Sequence, residues 1–159
     1  MSRAAPVCLI LLCSAVAPRA LADERATRTP PPAAYVEECG ACHVAYPPAL
    51  LAADSWRAVM AGLDQHFGND ASLDAAKAKP IAAWLATHAA RRATADAAGR
   101  PLLRISETAW FRHEHRAGHE GLTAAVWRSK AVGSPANCAA CHSGAARGDY
   151  AEDGIRLPH

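Results

Sequence analysis

An all-α fold is predicted for this chain of 159 residues, and three features of the sequence predict it. No segment alternates apolar and polar residues over the length of a strand. Apolar side chains instead recur at helical spacing, as at Trp56, Val59 and Leu63. Clusters of glycine and proline then end these segments, which indicates short helices joined by turns.

Capping and turn signals divide the chain into five helical segments: residues 35–44, residues 54–67, residues 72–99, a segment starting at 106, and residues 122–130. Asp54 or Ser55 is a suitable N-cap for the second helix, and Ser72 for the third. Pro80 lies inside the third segment, where a proline can divide a helix. The cluster Gly99-Arg100-Pro101 ends that segment and is the expected boundary between two halves.

Residues 1–22 have the pattern of a secretory signal peptide. Arg3 supplies the positive start, residues 7–17 form the apolar stretch, and Ala20-Leu21-Ala22 is the cleavage site. The apolar stretch is too short to span a bilayer, so we expect export to the periplasm and a mature chain without a membrane span. Residues 23–34, with three successive prolines, are expected to form an extended tether.

Two pentapeptides carry the chemistry: Cys39-Gly40-Ala41-Cys42-His43 and Cys138-Ala139-Ala140-Cys141-His142. C-x-x-C-H is the attachment signature of c-type haem. The two thiols add across the vinyl groups of the porphyrin, and the histidine binds the iron as the proximal ligand. The sequence therefore predicts two covalently bound haem c groups, one at residues 35–99 and one at residues 100–159.

Two C-x-x-C pairs can also serve three functions other than haem attachment. Four cysteines can hold a structural zinc, but zinc does not require a histidine directly after both pairs. A thioredoxin-like redox pair needs a strand–helix setting, and no strand pattern flanks Cys39 or Cys138. Two disulfides are possible in an exported protein. The repeated histidine favours haem over all three.

Composition and charge agree with a small haem protein. The mature chain is rich in alanine and poor in large aliphatic residues, so its hydrophobic core should be thin, and two porphyrins would add apolar bulk. Its formal charge of +2 falls to zero when Arg3 and Arg19 leave with the signal peptide. A neutral chain of this kind gives no electrostatic support for nucleic-acid binding.

Each iron needs a sixth ligand or has an open site. The candidates are His66, His88, His113, His115, His119, His159 and Met60. A single methionine cannot serve two irons, so at most one haem can be His/Met. For the first haem His66 leads, because it shares the apolar face of its predicted helix, although periodicity excludes neither Met60 nor His88. For the second, His115 shares the face of Phe111, and His113 competes.

Several segments beyond the two pentapeptides carry a family resemblance: Tyr35 to Glu38, Tyr46-Pro47-Pro48, Ser55-Trp56, His66-Phe67-Gly68, Arg104 to Thr108, Trp110-Phe111 with His115-Arg116, and Gly148-Asp149-Tyr150. With the haem motifs, they resemble the small bacterial dihaem cytochromes c known as DHC. The resemblance spans nearly the whole mature chain.

The resemblance implies a periplasmic electron-transfer protein with two low-potential haems, both with bis-histidine ligation. It implies His66 and His115 as the distal ligands. The N-terminal part would be similar to a class I cytochrome c, followed by a smaller C-terminal haem-binding part. The implied redox partners are a membrane-bound cytochrome b-type donor and a small oxygen-binding monohaem acceptor, which would dock weakly and briefly.

A second hypothesis comes from a different class of protein. If one haem were five-coordinate, or lost a weak distal ligand, the chain would be a small haem enzyme or a gas sensor. A dihaem peroxidase is the enzyme analogue, but the chain is short for two full domains and has no distinct peroxidatic residues. Carbon monoxide binding to the reduced protein separates the two hypotheses.

Overall fold

Five α-helices and several single 3₁₀ turns make up the fold in a computed structural model that describes residues 30–158. The helices are α1 (Ala33–Cys39), α2 (Ala53–Ala61), α3 (Ala75–His88), α4 (Ala109–Glu114) and α5 (Ala124–Arg128). Within these described residues the extended pairings are isolated bridges and not strands, so the predicted all-α class is confirmed. The predicted signal peptide lies outside the described residues.

The first two helices differ from the predicted bounds. Helix α1 follows Pro32 and already ends at Cys39, where Gly40 closes it by donating its amide to the carbonyl of Val36. Helix α2 begins at Ala53 and ends at Ala61, and a 3₁₀ turn follows over Leu63–Gln65. The chain therefore leaves the α-helix before His66, which the sequence placed on a continuous helix face.

Helix α3 is shorter than predicted and is not divided by its proline. It begins at Ala75 and runs through Pro80 without a break, because Ile81 and Leu85 on the far side of the proline are anchored in the core at 1% exposure each. It ends at His88 and not near Gly99. The residues beyond it form hydrogen bonds back to the start of α2, which draw the chain out of the helix.

The main core joins α1, α2 and α3. Its buried members are Tyr35, Leu51, Trp56, Ile81 and Leu85. Trp84 packs on Tyr35 with ring centroids 4.9 Å apart, and an ion pair joins Lys77 on α3 to Glu38 on α1. A separate set of residues is buried further along the chain: Phe111, Leu122, Val132 and Ala145. Both sets are small, as the alanine-rich composition predicts.

The segment after α3 returns across the first half of the fold. Thr94 accepts a hydrogen bond from the amide of Ala52 and pairs with the hydroxyl of Ser55. Further on, Ile105 packs against the main core, and the guanidinium of Arg104 lies 4.0 Å from the centroid of the Phe67 ring. This return brings the segment 101–108 beside the loop that carries His66.

Helix α4 begins at a well-formed cap. Thr108 is buried at 3% exposure and its hydroxyl accepts a hydrogen bond from the amide of Phe111. The helix ends at Glu114, so His115 occupies its C-cap. This cap fixes the start of the helix and so the positions of Trp110, Phe111 and His115.

The C-terminal segment lies against the second C-x-x-C-H motif. Ile155 pairs with His142 as an isolated antiparallel bridge. The amide of Arg156 donates to the carbonyl of Cys141 at 2.7 Å, and the hydroxyl of Ser143 donates to the carbonyl of Gly154 at 2.9 Å. Across residues 30–158, none of the helices has the length and apolar character needed to cross a bilayer.

Candidate haem-binding site

The first motif begins on the last residue of α1. Cys39 is half-buried against the main core, and this burial raises the pKa of its thiol to about 11. Cys42 follows one turn later and is exposed. The turn after α1 thus places one sulfur at the core and the other toward solvent, with His43 directly after them.

The second motif begins on a 3₁₀ turn over Cys138–Ala140. Among residues 30–158 no three His, Cys, Asp or Glu side chains converge as a metal site, so the four cysteines do not form a zinc cluster there. The described cysteines likewise form no disulfide.

His43 faces His66 across a gap. The centroids of the two rings are 6.3 Å apart and their planes differ by 27°. Nδ1 of His43 hydrogen-bonds the carbonyl of Val44 at 2.8 Å, which holds the ring and leaves Nε2 for another partner. His66 reaches this position from a sharp turn, because Phe67 directly after it has a left-handed backbone with φ of 51°.

His142 faces His115 in the same manner. Their ring centroids are 6.1 Å apart and their planes differ by 64°. Nδ1 of His115 hydrogen-bonds the carbonyl of Phe111 at 3.0 Å, and the Phe111 ring stacks on His115 with centroids 3.9 Å apart. Trp127 lies beside this stacked pair, with its ring centroid 6.0 Å from that of His115 and 6.3 Å from that of Phe111.

Both ring separations fit one metal atom between two imidazoles. A ligating ring nitrogen lies about 1.1 Å from its ring centroid and about 2.0 Å from a first-row metal. Two rings on opposite sides of one iron therefore have centroids about 6.2 Å apart. The observed 6.3 Å and 6.1 Å agree with this separation. The residues present thus fit a haem iron at each motif.

The charge state of these histidines also suits ligation. Burial lowers the pKa of His66, His115 and His142, and in the first and last of these the facing histidine lowers it further. A lowered pKa keeps the imidazole neutral at neutral pH, and the neutral ring is the form that binds a metal. Nδ1 of His142 is buried and has no hydrogen-bond partner among the described residues.

Exposed apolar side chains surround the first histidine pair. A cavity of about 200 Å³ lies beside His66, lined in part by Val59, Phe67 and Leu103. Phe67 is 43% exposed and Leu103 is 41% exposed, which is unusual for large apolar residues placed together. A flat apolar group such as a porphyrin would cover such a surface.

The other candidate ligands lie elsewhere. His88 hydrogen-bonds the carbonyl of Trp84 and packs on the Trp84 ring, and Met60 packs against the main core. His113 is exposed on α4. His119 begins a 3₁₀ turn near His115, whose pKa it lowers. His159 lies outside the described residues.

The two motifs adjoin each other. A cavity of about 330 Å³ is lined by residues of both, among them Cys42, His43 and Cys138. Tyr46 spans the junction: its ring stacks on His43, and its hydroxyl donates to the carbonyl of Ala136 at 2.6 Å. Burial raises the pKa of Tyr46 to about 12, so its phenol remains a donor.

The sequence alone indicated no site role for three of these contributors. The position of Tyr46, three residues after His43, could have indicated a contact with the first motif. Its hydrogen-bond partner Ala136, however, is ninety positions away. Arg104 and the C-terminal segment reach the two sites only through tertiary contacts that no local pattern announces.

Comparisons with known proteins give one consistent answer. The dihaem cytochrome c family, DHC, matches residues 35–150. A solved structure of a dihaem cytochrome c from Shewanella baltica OS155 is 37% identical, covers 79% of this chain and 92% of its own, and has a TM-score of 0.66. A dihaem cytochrome c from Rhodobacter sphaeroides is 41% identical, covers 74% and 94%, and has a TM-score of 0.62. No curated protein sequence matches significantly.

The fold and the paired motifs define a c-type haem protein, and the comparisons specify which kind. The chain belongs to the dihaem cytochrome c family. It binds two c-type haems covalently, and the cysteines of the two C-x-x-C-H motifs are available for that attachment. Membership of this family indicates an electron-transfer haem protein.

Proposed function

We propose that this protein carries single electrons in the periplasm through two low-potential haems, each with two histidine ligands. His43 and His66 would ligate the first iron, and His142 and His115 the second. The observation that carries the proposal is the separation of the two ring pairs, 6.3 Å and 6.1 Å, which fits one iron between each pair.

In this proposal the residues of the chain have separate tasks. The cysteines tether each haem, and hydrogen bonds at Nδ1 orient His43 and His115 so that Nε2 is available. When bound, the haem iron supplies a one-electron ferric–ferrous couple. Two protein ligands on each iron leave no open position for a substrate, which favours an electron carrier over an enzyme or gas sensor.

The low potential is inferred from the ligand type. A methionine ligand raises the potential of a c-type haem relative to a second imidazole. The methionine of the described residues, Met60, packs against the main core on α2, whereas His66 faces His43. Both irons would therefore have two imidazoles, and both potentials would lie below that of a His/Met cytochrome.

A short path between the haems is also part of the proposal. The cavity of about 330 Å³ that both motifs line supports it, because Cys42 and Cys138 border the same space. An electron that enters at one haem could then leave from the other. We further propose a division of labour along the chain, with residues 35–99 binding the first haem and residues 100–159 the second. The main core lies in the first part.

Location and partners are proposed from the sequence. The signal-like segment at residues 1–22 and the covalent haem motifs both indicate the periplasm. The proposed partners are a membrane-bound cytochrome b-type donor and a small oxygen-binding monohaem cytochrome acceptor. Transient docking at the haem edges would suit repeated turnover.

The distal ligand of the first haem gives the test of this function. In His66→Ala, the reduced first haem should bind carbon monoxide, and in His66→Met its potential should rise, because a thioether favours ferrous iron. His88→Ala is the matched control, a histidine on an apolar helix face that should leave the spectrum unchanged. If the His88 variant opens an iron and the His66 variant does not, the proposed ligation is wrong. If the unsubstituted protein binds carbon monoxide, an open-site function replaces the carrier.

A further inference from the structure

Tyr46 contacts both haem-binding motifs. Its ring stacks on the proximal His43, with centroids 4.5 Å apart and planes 14° from parallel. Its hydroxyl donates a hydrogen bond of 2.6 Å to the carbonyl of Ala136, two residues before Cys138. One side chain thus touches the ligand of one motif and the chain that leads into the other.

The backbone of Tyr46 is fixed from the core side. Its carbonyl accepts a hydrogen bond of 2.6 Å from the hydroxyl of Tyr35. Tyr35 is only 3% exposed and packs on Trp84. The position of Tyr46 is therefore set by the main core and not by either haem. Because Tyr46 is anchored in this manner, it can orient the His43 ring and the Ala136 carbonyl.

Ala136 belongs to an ordered turn. The amide of Asn137 donates to the carbonyl of Ser134 at 2.9 Å, and the amide of Ala136 donates to the hydroxyl of Ser134. The Asn137 side chain also bonds the carbonyl of Val132 at 3.1 Å. A turn held in this way moves as a unit, so a bond to Ala136 restrains Cys138 as well.

We propose that Tyr46 is a positioning residue shared by the two haem sites. Its ring sets the plane of the His43 imidazole, and its hydroxyl fixes the second motif relative to the first. The first part of this inference rests on the proposed ligation of iron by His43. The second part does not, because it concerns the distance between two attachment segments.

Three substitutions in the mature dihaem protein separate these two tasks. Tyr46→Phe keeps the ring and removes the bond to Ala136. Tyr46→Leu removes both contacts, and Tyr46→Met serves if the leucine variant does not mature. Thr87→Val is the control, because it also removes one hydroxyl that donates to a carbonyl, that of Ala83 on α3, but lies outside this set of contacts.

Two measurements read the tasks independently. Amide hydrogen exchange over residues 133–138 reports the restraint on the second motif. In Tyr46→Phe it should rise about threefold to tenfold, the effect of one ordinary hydrogen bond on local opening. Low-temperature EPR reports the plane of the His43 ring. The signal of the first haem should be unchanged in Tyr46→Phe and shifted or broadened in Tyr46→Leu. Thr87→Val should leave the exchange at its original rate.

Either of two results would overturn the inference. One is unchanged exchange over residues 133–138 in Tyr46→Phe, and the other is an unchanged EPR signal of the first haem in the leucine or methionine variant. Failure of the proposed function looks different. If the unsubstituted protein lacks a low-spin signal of two imidazoles at the first haem, the ligation by His43 and His66 is wrong, while the exchange experiment still decides the role of the hydroxyl.

Discussion

The two histidine pairs have nearly the same separation but are held by different means. His66 lies on a loop after a 3₁₀ turn, and the backbone of that loop, with Phe67 at a φ of 51°, directs its ring toward His43. His115 lies at the C-cap of α4, bonded to Phe111 through Nδ1 and stacked on the Phe111 ring. Backbone geometry thus positions the His66 ring, and side-chain packing positions the His115 ring.

The two C-x-x-C-H motifs also pack against different parts of the protein. The first motif starts at Cys39, which packs directly on the main core. The second motif is flanked by the C-terminal segment, through the pairing of Ile155 with His142. We therefore expect the first site, which packs on the main core, to survive loss of the second site better than the second survives loss of the first.

The largest expected effect is loss of a haem. In Cys138→Ser combined with Cys141→Ser, the protein should retain one haem, because the main core and both histidines of the first site lie outside the second motif. The mass of the purified protein, and its resistance to acid–acetone extraction, count the covalent haems.

The reciprocal variant, Cys39→Ser with Cys42→Ser, is the matched comparison. It should reduce the yield of folded protein as well, because Cys39 packs against the main core. Equal yields of the two double variants, or loss of both haems from the first, would remove the proposed asymmetry.

The second prediction concerns His115, the proposed distal ligand of the second site. His115→Ala should let the reduced haem at Cys138 and Cys141 bind carbon monoxide and leave the other haem closed. The loss of stacking on Phe111 should also destabilise the fold, by about 1–2 kcal/mol. Carbon monoxide titration followed by visible absorption measures the first effect.

His113→Ala is the control for that prediction, since His113 is exposed two positions away on α4. It should leave both irons closed and stability within about 0.5 kcal/mol. A carbon monoxide complex in the His113 variant and none in the His115 variant would reverse the assignment.

The third prediction tests the C-terminal segment. A chain that ends at Tyr150 loses the bonds from residues 154–156 to Cys141 and Ser143, three in all. At about 1 kcal/mol for each net hydrogen bond, unfolding of the second site should become easier by roughly 2–4 kcal/mol. Guanidinium unfolding followed at the haem absorption band measures this.

Ser143→Ala, which removes a single bond to Gly154, should reproduce about 1 kcal/mol of that loss. A shortened chain as stable as the full chain would mean that the pairing with His142 contributes nothing to the second site.

The smallest expected effect is at Arg104. Arg104→Gln removes the guanidinium that lies 4.0 Å from the Phe67 centroid, a contact of about 0.5–1 kcal/mol at an exposed position. The loop of His66 should then open more often, so carbon monoxide should bind the reduced first haem measurably faster. Arg92→Gln, at another exposed arginine, is the control and should change neither rate nor stability. Equal rates in the two variants would show that backbone alone holds His66.

The features of this protein that depend on neighbouring residues were predictable. The C-x-x-C-H spacing alone indicates both haem attachments, because two cysteines and a histidine within one turn meet the same porphyrin. The helical spacing of Trp56 and Val59 likewise indicated residues that pack in the main core. The burial of Tyr35 in the main core, by contrast, was seen only in the structure.

Features that depend on distant residues were not predictable. His66 was expected on a continuous helix, but the α-helix ends at Ala61 and a loop delivers the ring instead. The end of α3 at His88 reflects bonds from Ala90 to Leu51 and from Ala52 to Thr94, which no local pattern encodes. The bond of Tyr46 to Ala136 spans ninety positions for the same reason.

Low-temperature EPR of the ferric dihaem protein tests the central claim most directly. Nearly parallel imidazole planes split the iron d orbitals strongly, whereas planes closer to perpendicular leave two of them nearly equal in energy and give a more anisotropic signal. With planes 27° apart at the first site and 64° apart at the second, we predict two distinct low-spin signals of the bis-imidazole type, the more anisotropic one lost in Cys138→Ser with Cys141→Ser. A high-spin signal, or one of the histidine–methionine type, would contradict the claim that each pair of histidines binds one haem iron.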